Sequence, residues 1–332
     1  MRSAKLFSIA IFAAMLSYGA IGFIFLPLAA FEGDLTRLGQ LPESLFGWRK
    51  PQPAIEKQWL TQASMQDADI LVIGDSFSLD RIWQSVLTQG GLKVRTEAWA
   101  NFDALCSDLI PLIHSQGFRG RYLVVEVIER NLASVLAKSV ACEHTKYRSK
   151  IRSSGEQGPM RTTFDRERAD YSGKMSIGLR TWLNILNYER ISSNSAFKTL
   201  DLPNNVRLVR LENGCDLFSH QRCSDVLFLK RDQAGELDSS VMANMATINS
   251  RMRDLHIIWA VIPNKSTAYL YPDKKYWNEA ESRFNAPNLL RSIREAIDQK
   301  TIDVYPGNNT HFSTIGYQLI GQEIQRAIAQ TR

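Results

Sequence analysis

A serine and a histidine, 235 residues apart in the chain, are the side chains whose types and positions best suit chemistry. Ser76 lies in the turn Gly74-Asp75-Ser76-Phe77, directly after an apolar run that predicts a strand. A serine hydroxyl is a poor nucleophile until a neighbouring base accepts its proton. His311 is the one histidine of five that falls between the last predicted strand and the last predicted helix. Because open parallel sheets gather ligands outside the carboxyl ends of their strands, we expect Ser76 and His311 to meet at one edge.

The Gly74-Asp75-Ser76-Phe77 turn also has a structural interpretation. Asp and Ser side chains often cap helices by accepting backbone N–H groups of the first turn, and glycine permits a tight turn. In the catalytic interpretation, those N–H groups and the positive end of the helix stabilise an oxyanion. The position of His311 favours catalysis.

The elements that must position these residues alternate along the chain between short apolar runs and longer helical patterns. This alternation predicts a three-layer α/β domain with a parallel sheet. A near-continuous apolar run at 122–128 predicts a central strand that is buried on both faces. An irregular stretch at about 138–233 predicts a large insertion with one helix and a hairpin. Strands of the sheet are predicted at 68–73, 93–99, 122–128, 256–262 and 301–305.

The amino-terminal segment predicts one membrane crossing. Residues 6–31 carry no charge, and as a helix they would span about 39 Å, more than the roughly 30 Å core of a bilayer. Arg2 and Lys5 before this run keep residues 1–5 in the cytoplasm as a short tip. A cleaved signal peptide is the alternative, since Leu28-Ala29-Ala30 resembles a small-residue cleavage site. Both alternatives export the rest of the chain.

The predicted organisation is therefore a signal anchor in the inner membrane, a stem and an extracytoplasmic catalytic domain. Prolines and mixed charges at 32–66 indicate the stem, and 67–332 is the predicted catalytic domain. The net charge of +6 is concentrated between Lys146 and Arg190. This basic stretch is either a solvated surface or a surface that attracts an anionic glycan or lipid head groups. Nothing in the chain indicates nucleic-acid binding.

Four cysteines agree with an oxidising compartment, where an even number can form two disulfides. The amino-acid sequence leaves their pairing open. The short loop between Cys215 and Cys223 is the first choice, which leaves Cys106 with Cys142, and four free buried thiols are the alternative. The spacing of Cys and His residues does not suggest a zinc site, and no cofactor is expected.

Two blocks of the chain resemble the first and last blocks of the SGNH/GDSL hydrolase superfamily. These blocks are Ile73-Gly74-Asp75-Ser76-Phe77-Ser78 and Asn309-Thr310-His311-Phe312-Ser313-Thr314-Ile315-Gly316-Tyr317. The resemblance covers about 68–327 and implies a three-layer, flavodoxin-like sheet. It implies that Ser76 is the nucleophile, with its own N–H in the oxyanion hole, and that His311 is general base and then general acid. It also implies that Asn131 donates its amide to the oxyanion. Without the resemblance, Asn131 is equally well explained as a helix cap.

Two departures from the superfamily pattern concern the third catalytic residue and one oxyanion donor. No glycine lies at 101–103, where the superfamily has one. The acid that usually precedes the histidine is replaced by the amides Asn308 and Asn309. Either a Ser-His dyad works with one of these asparagines as orienter, or an acid comes from elsewhere, with Asp103 and Asp303 as candidates.

The combination of one membrane helix with this domain resembles bacterial O-acetyltransferases of alginate and peptidoglycan. The segments 125–131 and 262–269 add short matches to alginate-acetylation proteins. The resemblance implies O-acetyl transfer to hydroxyls of an extracytoplasmic polysaccharide, with a multi-spanning MBOAT-type membrane acyltransferase as acyl donor. The alternatives are a carbohydrate esterase that removes acetyl groups and a non-catalytic glycan-binding assembly component.

Overall fold

The computed structural model describes residues 2–148, 171–233, 237–272 and 275–331. The strands are β1 (Ile70–Gly74), β2 (Val94–Ala98), β3 (Tyr122–Ile128), β4 (Thr199–Leu202), β5 (Val206–Arg210), β6 (Asp225–Leu229) and β7 (His256–Ile262). The α-helices are α1 (Arg2–Phe25), α2 (Asp34–Gly39), α3 (Glu43–Phe46), α4 (Ser76–Leu79), α5 (Gln84–Gln89), α6 (Trp99–Phe102), α7 (Leu109–Ser115), α8 (Glu129–Val140), α9 (Met175–Ser192), α10 (Gly214–Leu217), α11 (Ser239–Arg251), α12 (Lys265–Tyr269), α13 (Tyr276–Arg283), α14 (Leu289–Asp298) and α15 (Thr314–Gln330). Turns of 3₁₀ helix occupy Leu26–Ala29, Lys57–Leu60 and Lys230–Gln233.

A four-stranded parallel sheet in the order β2-β1-β3-β7 confirms the predicted mixed α/β class. Every residue of β3 is buried, as expected for a central strand covered on both faces. Because all four strands are parallel, their carboxyl ends lie at one edge. The residues that end them there are Gly74, Ala98, Ile128 and Ile262.

The prediction of a fifth strand at 301–305 is wrong. Residues 302 and 303 form a turn, and residues 304 and 305 form a bend. Lys300 and Asp303 have φ angles of 59° and 57°, which lie in the left-handed region and interrupt an extended backbone. Before this segment, α13 and α14 are separate helices, because Pro287 lies between them and cannot donate a backbone hydrogen bond.

The chain divides into two compact units. The first unit comprises the described residues of Met1–Arg49, Thr163–Lys230 and Pro306–Thr310. Its antiparallel sheet β4-β5-β6 contains the predicted hairpin as the pair β5-β6, and β4 adds a third strand. The core of this unit is a cluster of buried apolar side chains from its two longer stretches of chain. The members of the cluster are Leu35, Leu41, Phe46, Tyr188, Phe197, Val206, Leu208, Leu227 and Leu229.

The predicted stem at 32–66 differs from the structure over its first half. Leu35, Leu41 and Phe46 are fully buried in the first unit, and α2 and α3 carry or flank them. Removing apolar side chains of this size from water is favourable in free energy. This segment is therefore part of a folded core and not a free linker.

The second unit comprises the described residues of Lys50–Thr162, Arg231–Tyr305 and His311–Arg332 and contains the parallel sheet. The predicted catalytic domain at 67–332 is thus shared between the two units. Part of the predicted insertion at 138–233, including residues 149–170, lies outside the described residues.

Both disulfides expected from the short-loop pairing are present. Cys106 is bonded to Cys142 and Cys215 to Cys223. At the amino terminus, Ala4–Ala29 is the one helical stretch of the described residues that is long and apolar enough to cross a membrane, with a mean hydropathy of 2.2. Most of its large apolar side chains between Leu6 and Ile24 are exposed.

Candidate active site

Ser76 and His311 are brought together in the second unit. The distance from Ser76 Oγ to His311 Nε2 is 2.8 Å, which is within the range of a nucleophile and its general base. Ser76 begins α4 directly after β1, and His311 precedes Ser313, the N-cap of α15. A proton can pass directly from the hydroxyl to the imidazole in this arrangement.

Capping and nucleophile positioning are divided between neighbouring residues of the turn. Asp75 is the N-cap of α4, and its Oδ1 accepts the N–H of Phe77 at 3.0 Å. Its Oδ2 accepts the N–H of Ile128 at 3.1 Å, at the end of β3. Because Asp75 caps the helix, the hydroxyl of Ser76 is available to His311.

Gly74 is needed for space and not for a left-handed backbone. A Cβ at this position would collide with the side chain of Ser78 and would lie 2.7 Å from Glu126 Oε2. The φ angle of Gly74 is not positive. Glycine is therefore required at position 74 because a Cβ there would collide with the side chains beneath the turn.

Glu126 is a buried carboxyl group under the turn that sequence reasoning missed. Its Oε2 accepts the N–H of Asp75 at 2.9 Å and the hydroxyl of Ser78 at 2.7 Å. Burial raises the pKa of Glu126 well above its usual value, and the charge of Asp75 raises it further. Glu126 therefore keeps its proton to a higher pH than an ordinary glutamate, and its hydrogen bonds connect β3 to the backbone of the turn. The signal in the sequence is a single acidic residue within the apolar run 122–128.

Phe77 holds the imidazole of His311 in place. The two rings stack with centroids 4.5 Å apart and an angle of 29° between their planes. Phe77 is buried and also contacts the rings of Phe312 and Tyr317. The ring of His311 is thus oriented by packing as well as by its hydrogen bond to Ser76.

Asp80 is a carboxylate of the second unit that interacts electrostatically with His311, and sequence reasoning missed it. Burial raises the pKa of Asp80, whereas the charge of His311 lowers it. Asp80 follows α4 four residues after Ser76. The signal was present in the spacing, because residues four apart on a helical turn lie on the same face.

Asn131 lies exposed on the first turn of α8, three residues after the end of β3. The N-cap of α8 is Ile128, with no side-chain capping bond, so Asn131 does not act as a helix cap. Its backbone carbonyl accepts the hydroxyl of Ser134 at 2.8 Å. Its role as an oxyanion donor stays a prediction.

Asn308 and Asn309 belong to the first unit, in the stretch Pro306–Thr310. Asn308 is buried, and its amide donates to Glu43 Oε2 at 2.8 Å. Burial raises the pKa of Glu43, while hydrogen bonds from several groups, the Asn308 amide included, lower it. Asp34 accepts the N–H of Thr310 at 2.8 Å. Two residues of the predicted stem, Glu43 and Asp34, are therefore bonded to this stretch. The roles of Asn308 and Asn309 as orienters of His311 stay a prediction.

The two other acid candidates have other partners. Asp103 is exposed and forms an ion pair with Lys138 at 2.5 Å. The bond to Lys138 lowers the pKa of Asp103. Asp303 is fully buried on a left-handed turn near Tyr269. Asp80 fits the role of a carboxylate beside the imidazole better than Asp103 or Asp303, because it interacts electrostatically with His311.

A second polar cluster lies where β3 and β7 end. Arg130 donates to Asp232 at 3.2 Å and to the side-chain oxygen of Asn264 at 3.3 Å. Glu129 accepts the N–H of Asn264 at 2.9 Å. Burial raises the pKa of Asp232 to about 6, although the charge of Arg130 opposes this shift. The cluster joins the loops that follow two neighbouring strands and so supports the edge at which Ser76 lies.

Among the described residues, no three His, Cys, Asp or Glu side chains are grouped so that they could hold a metal ion. No protein-family model, no curated protein and no solved structure matches the chain. Any function proposed for this protein therefore depends on the residues of the site and their geometry.

Proposed function

We propose that this protein is a membrane-anchored serine acyltransferase that places acyl groups, acetyl above all, on hydroxyls of an extracytoplasmic polysaccharide. The observation that carries the proposal is the 2.8 Å contact between Ser76 Oγ and His311 Nε2 at the carboxyl edge of a parallel sheet. The apolar helix at Ala4–Ala29 supports an anchor. The two disulfides support an oxidising compartment.

In the first half of the proposed reaction, His311 Nε2 takes the proton of Ser76, and Ser76 Oγ attacks the acyl carbonyl. The backbone N–H of Ser76, which has no acceptor within its helix at this first position, and the amide of Asn131 donate to the oxyanion. The bond to the carrier then breaks, and the carrier leaves with the proton from His311. A multi-spanning MBOAT-type membrane acyltransferase is the proposed supplier of the acyl group.

In the second half, a sugar hydroxyl gives its proton to His311 and attacks the acyl group on Ser76. The ester bond to Ser76 breaks, the proton returns to Ser76 Oγ, and the acylated sugar leaves. Transfer requires that the sugar reaches the acyl-enzyme faster than water does.

A carbohydrate esterase is the second candidate, and one observation favours it. Ser76 is exposed and His311 is half-exposed, so water has access to the same acyl-enzyme. In that reaction water takes the place of the sugar hydroxyl, and the products are the free acid and the regenerated serine.

The test is to incubate the full-length protein in detergent with an activated acetyl ester and to quench the mixture in acid. We expect the peptide that contains Ser76 to gain one acetyl group and Ser76→Ala to gain none. Removal of a general base slows reactions by about 10²–10⁴-fold, so His311→Gln should acylate slower by that factor. Ser250→Ala, which changes an exposed serine on α11, is the matched control and should acylate normally.

The absence of an adduct in the wild-type protein would overturn the proposal. It would favour the non-catalytic assembly component if Ser76→Ala also left polysaccharide acetylation unchanged in cells. Addition of an oligosaccharide acceptor separates the two enzymes, because a transferase should form acetylated sugar and an esterase should release only free acetate.

A further inference from the structure

The helix α9 in the first unit exposes an apolar stripe. Its exposed large apolar side chains are Leu179, Trp182, Leu183 and Leu186, whose solvent-exposed fractions run from 39% to 51%. Their spacing of three, one and three residues places them on one face of the helix. The stripe is separate from the face that packs into the first unit, which carries Gly178, Thr181 and Tyr188.

The apolar stripe of α9 continues the surface of the candidate membrane helix. The ring of Trp182 packs edge-on against Phe25 with centroids 5.7 Å apart, and Tyr171, just before α9, stacks on Phe23 at 5.5 Å. Both partners are in the last turn of α1, at the end away from Met1. At these two contacts, the exposed apolar surface of α1 is therefore continuous with the apolar stripe of α9.

The position of α9 against the end of α1 is fixed by close backbone contact. A Cβ on Gly178 would collide with the carbonyl oxygen of Phe25, and a Cβ on Gly173 would lie 2.5 Å from that of Ala29. Glycine at these two positions lets the backbones approach. The apolar stripe is thus held next to the point at which α1 ends.

The residues around the stripe match the chemistry of a membrane interface. Trp and Tyr are enriched at the head-group level of bilayers, and here Trp182 and Tyr171 lie at the end of the apolar helix. Lys174 and Arg180 are exposed close to the stripe, where they can contact anionic lipid head groups.

We propose that the apolar stripe of α9 lies in the interfacial layer of the bilayer that α1 enters, with its side chains among the lipid chains. The stripe and α1 then bind the first unit to the membrane together. The alternative occupant would be a second protein surface, but the direct continuity with α1 favours lipid. The inference depends on the insertion of α1 and is independent of acyl transfer at Ser76.

The test uses nitroxide labels on the full-length protein in nanodiscs of phosphatidylcholine and phosphatidylglycerol. All native cysteines are in disulfides, so Leu183→Cys provides a single labelling site on the stripe. Thr199→Cys is the control, because Thr199 is an exposed residue of β4 in the same unit and lies outside α9. Leu186→Cys gives a second label on the stripe in case Leu183→Cys does not fold.

We expect the label at position 183 to collide more often with molecular oxygen, which concentrates in lipid, than with a water-soluble nickel complex. The order should be reversed at position 199. Equal aqueous accessibility at both positions would overturn the proposal. Protection of position 183 from both reagents would also overturn it and would indicate that protein covers the stripe.

Discussion

At the scale of single residues, the Gly74-Asp75-Ser76-Phe77 turn gives each side chain a different task. Asp75 caps α4, Ser76 contacts His311, Phe77 stacks on the imidazole, and Gly74 leaves space for the Ser78 side chain. The capping and the catalytic interpretations of the motif are therefore compatible, because they concern neighbouring residues.

Asp80→Asn is predicted to slow acylation of Ser76 by about 10-fold or more, since a carboxylate near the imidazole stabilises the imidazolium that forms. The loss of the negative charge also disfavours protonation of His311, so the acid limb of the rate profile should move to lower pH. The measurement is the pH dependence of ester turnover.

Asp103→Asn is the control for this substitution, because Asp103 is an exposed aspartate paired with Lys138. It should leave both the rate and the pH profile unchanged. An unchanged profile for Asp80→Asn would exclude Asp80 and would return the orienting role to Asn308 or Asn309.

Phe77→Leu is predicted to lower the rate of acylation more than its loss of stability explains. Leucine fills much of the buried volume but cannot stack on His311, so the imidazole becomes free to rotate away from Ser76. Phe118→Leu is the matched control, because Phe118 is a fully buried phenylalanine of the second unit. Equal loss of rate in the two variants at equal loss of thermal stability would contradict a positioning role for Phe77.

At the scale of elements, Glu126 connects β3 to the turn that follows β1. Its raised pKa means that the folded protein retains a proton that the unfolded chain releases above about pH 4.5. The folded state binds more protons in this range, so Glu126 makes stability fall as the pH rises toward its folded pKa.

Glu126→Gln is predicted to remove this dependence, since glutamine cannot ionise. The stability of the variant relative to wild type should therefore increase as the pH rises, by up to about 1.4 kcal/mol for each pH unit in that range. Thermal unfolding of both proteins at about pH 5 and pH 7 provides the measurement. Parallel pH profiles would show that Glu126 ionises normally in the folded protein.

In the first unit, the segment that carries α2 and α3 packs against parts of the chain that are distant in sequence. The segment that carries α2 and α3 buries Leu35, Leu41 and Phe46 against the β4-β5-β6 sheet region. Asp34 and Glu43 of the same segment bond the stretch that ends one residue before His311. A segment predicted to be a stem is therefore bonded to two distant parts of the chain within the first unit.

At the scale of the whole molecule, each unit contains one disulfide, and the two should contribute unequally. The Cys106–Cys142 pair closes a sequence separation of 36 residues and the Cys215–Cys223 pair one of 8. Loop-closure entropy predicts contributions of about 4 and about 2.5 kcal/mol to the free energy of unfolding. Replacement of each pair by serine, followed by hydrogen exchange of β3 and β5 amides, measures the loss in each unit.

The larger loss should appear in β3 when Cys106 and Cys142 are replaced, and the smaller one in β5 when Cys215 and Cys223 are replaced. Each replacement should leave the strand of the other unit less affected. Equal losses in both strands for either replacement would show that the units unfold together.

The strands β3 and β7 could be predicted residue for residue, because each is a continuous apolar run with a clear end, at Pro263 for β7. The strand predicted at 301–305 failed, because the left-handed backbone at Lys300 and Asp303 is not visible in a pattern of apolar residues. Turn conformation at non-glycine residues depends on packing with distant parts of the chain.

The amino-acid sequence by itself determined the α/β class and the apolar amino-terminal helix, and it predicted the Ser76 and His311 pair. It made the short Cys215–Cys223 loop the first choice for a disulfide but left the pairing open. These features follow from local periodicity, composition and short motifs. The tertiary structure alone decided that residues of the predicted stem join a folded core, that Glu126 lies under the Ser76 turn, and that Asp80 interacts with His311. The physical reason is that burial and electrostatic interaction depend on distances between segments that lie far apart in the chain.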